Sequence, residues 1–319
     1  MKTLILGSSG QTGSYLGPIL RNSEYEVVGA SRNLAADEAS DSAHYLLDVR
    51  NAKEFKFIIE AENPDAIINL SSLSSVSECE ARPTLSEEVN FLAVVNMAKI
   101  ISAHQAVAEK PIHFIQASSS EMYAGLGSGV LINELSNLAP LSVYGKHKAM
   151  THQYLDSIAS EFPITQAILF NHESSKRPEK FVSQKIIKNV VDLYLGNISQ
   201  IPFGNLKTRR DWSFAGDVAQ ALSEMLKLGS TGSFVIGSGV LHSVEDFFLA
   251  ACDLIGIPNG LNFAYQDSTL VRKVENDGLI ADTTKARDEL LWKPKFQFRE
   301  IVLEMLKSKC EREGIDISL

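Results

Sequence analysis

Short apolar runs and longer amphipathic stretches alternate along the first half of the chain. Runs with the length and β-branched content of buried strands lie at residues 3–6, 26–30, 45–49, 66–70 and 113–117. Stretches with helical periodicity lie between them, at residues 14–22, 53–62 and 90–104. This alternation predicts an α/β fold with a Rossmann-type, doubly wound parallel sheet, in which the carboxyl ends of the strands share one edge.

The second half of the chain continues this alternation less regularly. Further strands are predicted at residues 167–170 and 233–236, and helices at 182–195, 217–228, 244–255 and 298–312. We therefore expect a larger domain over residues 1–166, to which later strands return. A smaller, interleaved C-terminal α/β lobe over residues 167–319 is expected to bind a substrate.

The first strand runs directly into a glycine-rich turn, Gly7-Ser-Ser-Gly10-Gln-Thr-Gly13, which precedes the first helix. Glycines in such a turn let the backbone approach a pyrophosphate, which then lies against the free N–H groups of the helix N-terminus. The order strand, turn and helix therefore predicts a dinucleotide site that includes Gln11 and Thr12.

The ends of the next strands indicate which dinucleotide binds. The second strand ends in Gly29-Ala-Ser-Arg32-Asn33, with no acidic residue for a ribose 2′-hydroxyl, whereas Arg32 offers a cation for a 2′-phosphate. The sequence thus favours NADP over NAD. Asp48, next to Val49, is expected to accept the adenine amino group, and the segment 69–72, with Leu70 and Ser71, is expected to line the cofactor.

Candidate catalytic residues follow the fifth strand. Ser119 and Glu121 lie just after it, and Tyr144 and Lys148 lie four residues apart at the start of a predicted helix, so they share one face. A lysine ammonium favours a phenolate, so we expect Tyr144 to act as a base with a pKa below the usual value of about 10. Ser119 would orient the same substrate oxygen.

Glu121 adds a function that simple ketone reduction does not need. A carboxylate beside the oxidation centre can remove the acidic proton next to a new ketone and then protonate a departing hydroxyl. Oxidation, loss of water and re-reduction would together form a redox-neutral cycle.

These residues, with others along nearly the whole chain, resemble the GDP-mannose 4,6-dehydratases, a family within the extended short-chain dehydrogenase/reductases. The most specific matches are Phe170-Asn-His-Glu-Ser174 and Arg209-Arg-Asp-Trp212. Further matches are Val89-Asn90, Phe181-Val182 with Lys185-Ile186, Gly204-Asn-Leu206 and Leu291-Trp-Lys-Pro294.

The resemblance implies a role for each matching position. Tyr144 would deprotonate the sugar 4-hydroxyl, Lys148 would hold the nicotinamide ribose, and Glu121 would be the base at C5 and the acid for loss of the C6 hydroxyl. The residues implied to bind the nucleotide sugar are Asn171, Glu173, Val182, Lys185, Arg210, Arg272 and Glu275. A homodimer or homotetramer built on helices that flank Tyr144 is also implied.

Composition narrows the possible partners. Thirty Lys+Arg against thirty-nine Asp+Glu leave a formal net charge of -9, which argues against nucleic acid. The three cysteines, Cys79, Cys252 and Cys310, are widely spaced, so we expect a reducing compartment and no metal site. No apolar run approaches the length of about 18 residues that a membrane helix needs. We expect a cytoplasmic protein that does not bind a membrane.

Two alternatives stay open. A related NADP-dependent nucleotide-sugar reductase or epimerase would share Ser119, Tyr144 and Lys148 but would not need Glu121. A non-catalytic NADP-binding sensor could use the same cofactor half, although the presence of all four residues argues against it.

Overall fold

The computed structural model describes residues 1–33, 43–271 and 278–316, and its largest sheet has seven parallel strands. In chain order these are β1 (Lys2–Leu6), β2 (Glu26–Ser31), β3 (His44–Leu46), β4 (Ala66–Asn69), β5 (His113–Ser119), β7 (Ile164–Leu169) and β11 (Gly232–Ile236). Their spatial order is β11-β7-β5-β4-β1-β2-β3. The predicted Rossmann-type fold is confirmed.

The sheet is covered on both faces, as parallel sheets require. One face packs against α2 (Ala52–Glu62), α5 (Ala93–Ala108) and α6 (Val143–Ser157). The other face packs against α1 (Gly13–Asn22), α8 (Ala215–Leu228) and α10 (Thr284–Leu290). Leu4, Ile5 and Leu6 are therefore fully buried although they point alternately to opposite faces.

Strands from the second half of the chain extend this sheet next to β5. β7 pairs with β5 from Ile164 to Leu169, and β11 pairs with β7. The predicted boundary between residues 166 and 167 falls inside β7, so the sheet continues past it.

The smaller lobe lies beside the carboxyl ends of the central strands. A three-stranded sheet joins β8 (Asn171–Glu173), β10 (Arg209–Phe214) and β12 (Leu241–Ser243), and β9 (Ile201–Phe203) pairs with β13 (Ala264–Gln266). Helices α7 (Val182–Tyr194), α9 (Val244–Leu254) and α11 (Phe298–Arg312) share an apolar cluster with the buried Trp212. A two-stranded pair, β6 (Leu131–Ile132) with β14 (Ile280–Ala281), completes the described strands.

Some elements differ from the prediction. The third strand ends at Leu46, which is three residues earlier than predicted. Two short helices, α3 (Val76–Ala81) and α4 (Pro83–Glu87), were not predicted because neither is long enough to show a helical period. A π-helical turn at Glu88–Leu92 connects α4 to α5.

One helical run in the described part of the chain, Pro83–Ala108, is long and apolar enough by length and composition to cross a membrane. The sequence predicts no uninterrupted apolar run of about 18 residues, and this helix contains none, because polar residues such as Asn96 and Lys99 interrupt it. The indication is weak, because core helices of soluble proteins pass it too. Val94, Met97 and Ile101 pack into the core of this fold, while only 28% of the most apolar window is buried.

Candidate functional site

A cleft of about 1310 Å³ separates the carboxyl ends of the central strands from the smaller lobe. A second cavity of about 190 Å³ adjoins it and shares Gly7, Gly10, Arg32 and Leu70 as lining residues. Ligands of doubly wound sheets bind at this edge, where the strand order reverses. The two cavities together form a continuous groove from the glycine turn to the smaller lobe.

The glycine turn has the geometry that a dinucleotide requires. Gly7 has a φ of +79°, in the left-handed region that favours glycine, and a Cβ there would lie 3.1 Å from the Ser71 backbone nitrogen. A Cβ on Gly13 would lie 2.5 Å from the carbonyl oxygens of Gly7 and Ser8. Only a bare backbone fits here, and α1 begins at Gly13, so its N-terminal N–H groups face the turn. The residues present fit a bound pyrophosphate.

The structure brings the predicted cofactor residues together along the groove. The smaller cavity is lined by Gly7, Gly10, Arg32, Asp48, Val49, Leu70 and Ser71. The larger cleft is lined by Gln11, Thr12, Gly13, Tyr144 and Lys148 as well. Arg32 is exposed directly after the end of β2.

Asp48 has a partner that the sequence analysis did not foresee. Both of its carboxylate oxygens accept hydrogen bonds from Arg50, at 2.6 Å from Nη2 and 3.0 Å from Nε. Arg50 also contacts Glu88 at 3.1 Å. The guanidinium holds the pKa of Asp48 below its usual value. Any adenine contact at Asp48 would therefore be shared with Arg50, because an ion pair already occupies this carboxylate.

The glycine turn is joined to β8 by hydrogen bonds. The Gln11 side-chain amide donates to the His172 carbonyl at 2.9 Å, and Ser174 donates to the Gln11 side chain at 3.1 Å. His172 Nδ1 lies 2.9 Å from the Phe170 carbonyl, which can only accept, so Nε2 accepts from the Thr12 hydroxyl at 3.0 Å. Burial lowers the pKa of His172 to about 4, which keeps the ring neutral. His172 therefore tethers the two halves of the cleft.

The four predicted catalytic residues line one wall of the cleft. β5 ends at Ser119, whose hydroxyl accepts a hydrogen bond from the Glu121 N–H at 3.2 Å and starts a 3₁₀ turn. Tyr144 and Lys148 lie on the first turns of α6. A strand end and a helix start are thus packed side by side, which places all four groups at the sheet edge where the groove lies.

The electrostatics of this wall differ from the prediction. Burial raises the pKa of Tyr144 to about 12, although the hydroxyls of Ser119 and Ser72 act to lower it. Burial also lowers the pKa of Lys148 to about 8. The Lys148 ammonium donates to the Ala117 carbonyl at 2.9 Å and lies 5.8 Å from the centre of the Tyr144 ring. The expected depression of the Tyr144 pKa is therefore wrong for this state, because desolvation outweighs the cation.

The residues implied for substrate binding fall into two groups. The described ones all line the cleft, and they are Asn171, Glu173, Val182, Lys185 and Arg210. Glu173 is buried, accepts a hydrogen bond from Ser183 at 2.6 Å and lies 3.4 Å from Arg177 Nε. Its carboxylate is thus already paired within the protein. Arg272 and Glu275 lie outside the described residues.

Arg177 is a cleft residue that the sequence analysis missed. Its guanidinium stacks on Phe181, with its central carbon 3.6 Å from the ring centre, and both residues line the cleft. A planar cation at this position suits a phosphate or carboxylate ligand. The sequence signal was the adjacent pair Lys176-Arg177, which begins three positions after β8 ends and is a basic pair in an acidic chain.

In the described ranges, no group of three or more His, Cys, Asp or Glu side chains could hold a metal ion. Cys79, Cys252 and Cys310 are all buried free thiols.

The chain matches known proteins along nearly its whole length. The family model "GDP-mannose 4,6 dehydratase" matches residues 4–305. The GDP-mannose 4,6 dehydratase of Drosophila melanogaster is 31% identical over 342 residues, which cover 97% of this chain and 86% of that protein.

Solved structures share the fold. The UDP-glucose 4-epimerase of Thermotoga maritima, solved with UDP-glucose, superposes with a TM-score of 0.86 over 99% of this chain and 100% of that chain, at 20% identity. The dTDP-glucose 4,6-dehydratase of Bacillus anthracis, solved with NAD, has a TM-score of 0.84 over 98% of each chain at 17% identity. The match from residue 4 to residue 305 spans the glycine turn, the cleft wall that holds Tyr144 and Lys148, and the smaller lobe. The chain therefore belongs to the GDP-mannose 4,6-dehydratase family.

Proposed function

We propose that this protein is an NADP-dependent nucleotide-sugar 4,6-dehydratase whose substrate is GDP-mannose. The observation that carries the proposal is the presence of Glu121 on the same cleft wall as Tyr144 and Lys148. A dehydratase needs this carboxylate in addition to the oxidation residues, whereas a reductase or an epimerase does not. Membership of the dehydratase family supports the same conclusion.

The oxidation residues begin the reaction at the sugar C4. Tyr144 takes the proton of the 4-hydroxyl while Ser119 hydrogen-bonds to the same oxygen. Lys148 supplies a nearby positive charge that favours the phenolate. NADP, held by the glycine turn, Arg32 and Lys148, would supply the nicotinamide that stores the C4 hydride until it is given back at C6. Because Tyr144 is buried with a raised pKa, its proton transfer depends on Lys148 retaining its charge.

Glu121 carries out the elimination. The C4 ketone makes the C5 hydrogen acidic, and the carboxylate removes it as a proton. The same group then donates that proton to the C6 hydroxyl, which leaves as water and creates a C5–C6 double bond. C6 takes the hydride and C5 takes the proton that Tyr144 removed from the 4-hydroxyl. The product is therefore a 4-keto-6-deoxy sugar, and both Tyr144 and the cofactor end each turnover in their starting state.

The substrate assignment rests on relatives and on the lining of the cleft. The similar Drosophila protein is named for GDP-mannose. In this chain Val182 and Lys185 at the start of α7 would meet the nucleotide, and Arg210 would bind the diphosphate. Arg272 would act with Arg210, and Glu275 would bind ribose hydroxyls. An arginine suits this contact because its planar fork can bind two phosphate oxygens at once.

The preference for NADP is proposed from Arg32. The Bacillus neighbour was solved with NAD, so the fold by itself accommodates the cofactor without a 2′-phosphate. Arg32 lines both cavities at the end of β2 and would pair with that phosphate. Arg32→Gln should raise the dissociation constant for NADP at least about tenfold and change that for NAD little, because NAD lacks the charge that Arg32 pairs with. Equal changes for both cofactors, measured by fluorescence titration, would contradict the assignment.

We also propose a homodimer or a homotetramer that uses the exposed sides of α5 and α6. Leu92, Val107 and Met150 are 43%, 86% and 38% exposed near or on these helices, and most of the apolar window in Pro83–Ala108 is not buried within the chain. A second copy would cover this surface. Light scattering that finds only monomers at micromolar concentration would contradict this proposal. A cytoplasmic location stays a prediction from the sequence.

The test of the function is incubation of GDP-mannose with the purified protein and a catalytic amount of NADP. We expect loss of one water by mass spectrometry, a 4-keto-6-deoxy sugar by NMR and no net rise in absorbance at the NADPH wavelength. Glu121→Gln should oxidise C4 but not eliminate, so one equivalent of NADPH should accumulate per site.

The alternatives give other results. Wild-type turnover by Glu121→Gln would contradict the role assigned to Glu121. Conversion of the nucleotide sugar without loss of water would favour an epimerase or reductase, since these do not need the carboxylate. No conversion of any nucleotide sugar in a panel, with intact NADP binding, would favour a sensor.

A further inference from the structure

The short helix α3 contacts both halves of the active-site cleft. It lies between β4 and α4, and its residues Glu78 and Glu80 line the cleft. Between them, Cys79 is fully buried and packs in one apolar cluster with Leu73 and Tyr144. Three consecutive side chains of α3 therefore contact three different parts of the site.

Glu80 contacts the N-terminus of α6, the helix that bears Tyr144 and Lys148. Its Oε1 accepts a hydrogen bond from the backbone N–H of Val143 at 2.7 Å. Ser142, the residue before the helix, accepts from the Gly145 N–H at 3.0 Å. The first N–H groups of a helix have no partner within it, and a carboxylate there is favoured by the helix dipole as well. The turn that carries Tyr144 is thus held by one group from α6 itself and one from α3.

Glu78 reaches across the cleft in the opposite direction. Its Oε2 accepts a hydrogen bond from the Lys180 ammonium at 2.7 Å, and these residues are 102 positions apart in the chain. Lys180 lies in the segment between β8 and α7, next to the cleft residues Phe181 and Val182. The contact therefore joins the α3 side of the cleft to the segment that would meet the substrate nucleotide. Arg82 lies 3.8 Å from the other oxygen of Glu78.

We propose that α3 couples the substrate-binding segment to the catalytic helix, with Glu80 as a positioning residue for Tyr144. The Lys180–Glu78 contact holds α3 in position when the segment before α7 is in place. Through the Glu80–Val143 contact, α3 then positions the turn that bears Tyr144. The apolar packing of Cys79 against Tyr144 makes the two helices move together. Tyr144 is consequently held for proton transfer only when the far side of the cleft is correctly closed.

The first test does not depend on the identity of the substrate. Hydrogen exchange at the Val143 amide should become about three- to tenfold faster in Glu80→Gln, because the amide loses a charged acceptor. Lys180→Met should also speed exchange at Val143 if α3 transmits the contact. Glu134→Gln is the matched control, since Glu134 accepts from the Val235 N–H at the same distance of 2.7 Å. Unchanged exchange at Val143 in Lys180→Met would overturn the coupling even if no dehydratase activity were found.

The second test uses turnover and rests on the proposed function. Glu80→Gln should lower kcat about two- to fivefold with the KM for the nucleotide sugar and the Tm nearly unchanged, as exposed charged contacts have small effects. Glu80→Asp should recover part of the rate, because it keeps the charge.

A double-mutant cycle separates coupling from independent effects. Lys180→Met should lower kcat in the wild-type background but not in Glu80→Ala, where the connection is already broken. The control is Lys207→Met, which removes a Lys–Glu contact of the same 2.7 Å length to Glu245, outside α3. Additive effects of Lys180→Met and Glu80→Ala on kcat would overturn the proposal.

Discussion

The tether formed by His172 predicts a specific acid sensitivity of the folded state. His172 has a pKa of about 4 in the fold, against a reference value of 6.5. Below about pH 6.5 the unfolded chain binds a proton that the folded chain does not bind until about pH 4. The free energy of unfolding therefore falls as the pH falls through this window.

The magnitude follows from the two pKa values. Over the whole window between the two pKa values, the free energy of unfolding falls by about 3 kcal/mol. Between about pH 7.5 and about pH 5 alone, it falls by about 2 kcal/mol. Protonation has this effect because the ring is partly buried and its Nε2 accepts from Thr12, which a protonated ring cannot do. Loss of this contact would also loosen the glycine turn.

The assay is urea unfolding, followed by tryptophan fluorescence at several pH values, of wild type and His172→Gln. Glutamine does not titrate, so the difference between the two proteins isolates His172 from the other groups. Between about pH 7.5 and about pH 5, we expect the free energy of unfolding of the wild type to fall by about 2 kcal/mol more than that of the variant. If the free energy of unfolding depends on pH in the same way in wild type and in His172→Gln, the assignment of a neutral His172 that tethers the two halves of the cleft is refuted.

Three further predictions concern the turn, the smaller lobe and the catalytic lysine. Gly13→Ala should weaken dinucleotide binding at least about tenfold in a fluorescence titration, because its Cβ would lie 2.5 Å from two backbone carbonyls. Gly17→Ala in the same helix is the control. Its Cβ would contact only a flexible arginine side chain, so dinucleotide binding should be unchanged. Asp217→Ala should cost about 2–3 kcal/mol in denaturant unfolding, because the carboxylate accepts from two backbone N–H groups at 2.8 and 2.9 Å; a loss below about 0.5 kcal/mol would contradict that role. The rate of proton transfer by Tyr144 should fall as the pH rises through about 8, where Lys148 loses its charge. Lys148→Arg should remove this decline from the pH profile of kcat, since arginine stays charged. If kcat still declines near pH 8 in this variant, the decline belongs to another group.

Much of the cofactor half was predictable because its signals are local. β1, the glycine turn and α1 are consecutive in the chain, and the turn needs a residue without a side chain at Gly7 and Gly13 whatever lies elsewhere. The grouping of Ser119 with Tyr144 was predictable for a related reason. A strand end in a parallel sheet and the first turn of the next helix lie at the same edge.

Local sequence patterns did not predict α3 or the early end of the third strand. α3 is six residues long, too short for a helical period, yet it contacts both sides of the cleft. The predicted third strand, 45–49, stops at Leu46, and the carboxylate of Asp48 is taken up by Arg50. Neither outcome depends on the apolar pattern, which is all that the strand prediction used.

The sequence by itself determined the alternation of strands and helices in the first half of the chain, the glycine turn and the candidate catalytic side chains, because backbone preference and hydrophobic period are properties of neighbouring residues. Only the tertiary structure decided the charge state around those side chains. Burial by residues far away in the chain raises the pKa of Tyr144 and lowers that of Lys148. The contacts of Glu78 with Lys180 and of Thr12 with His172 join residues 102 and 160 positions apart. Desolvation and such distances follow from how the whole chain packs.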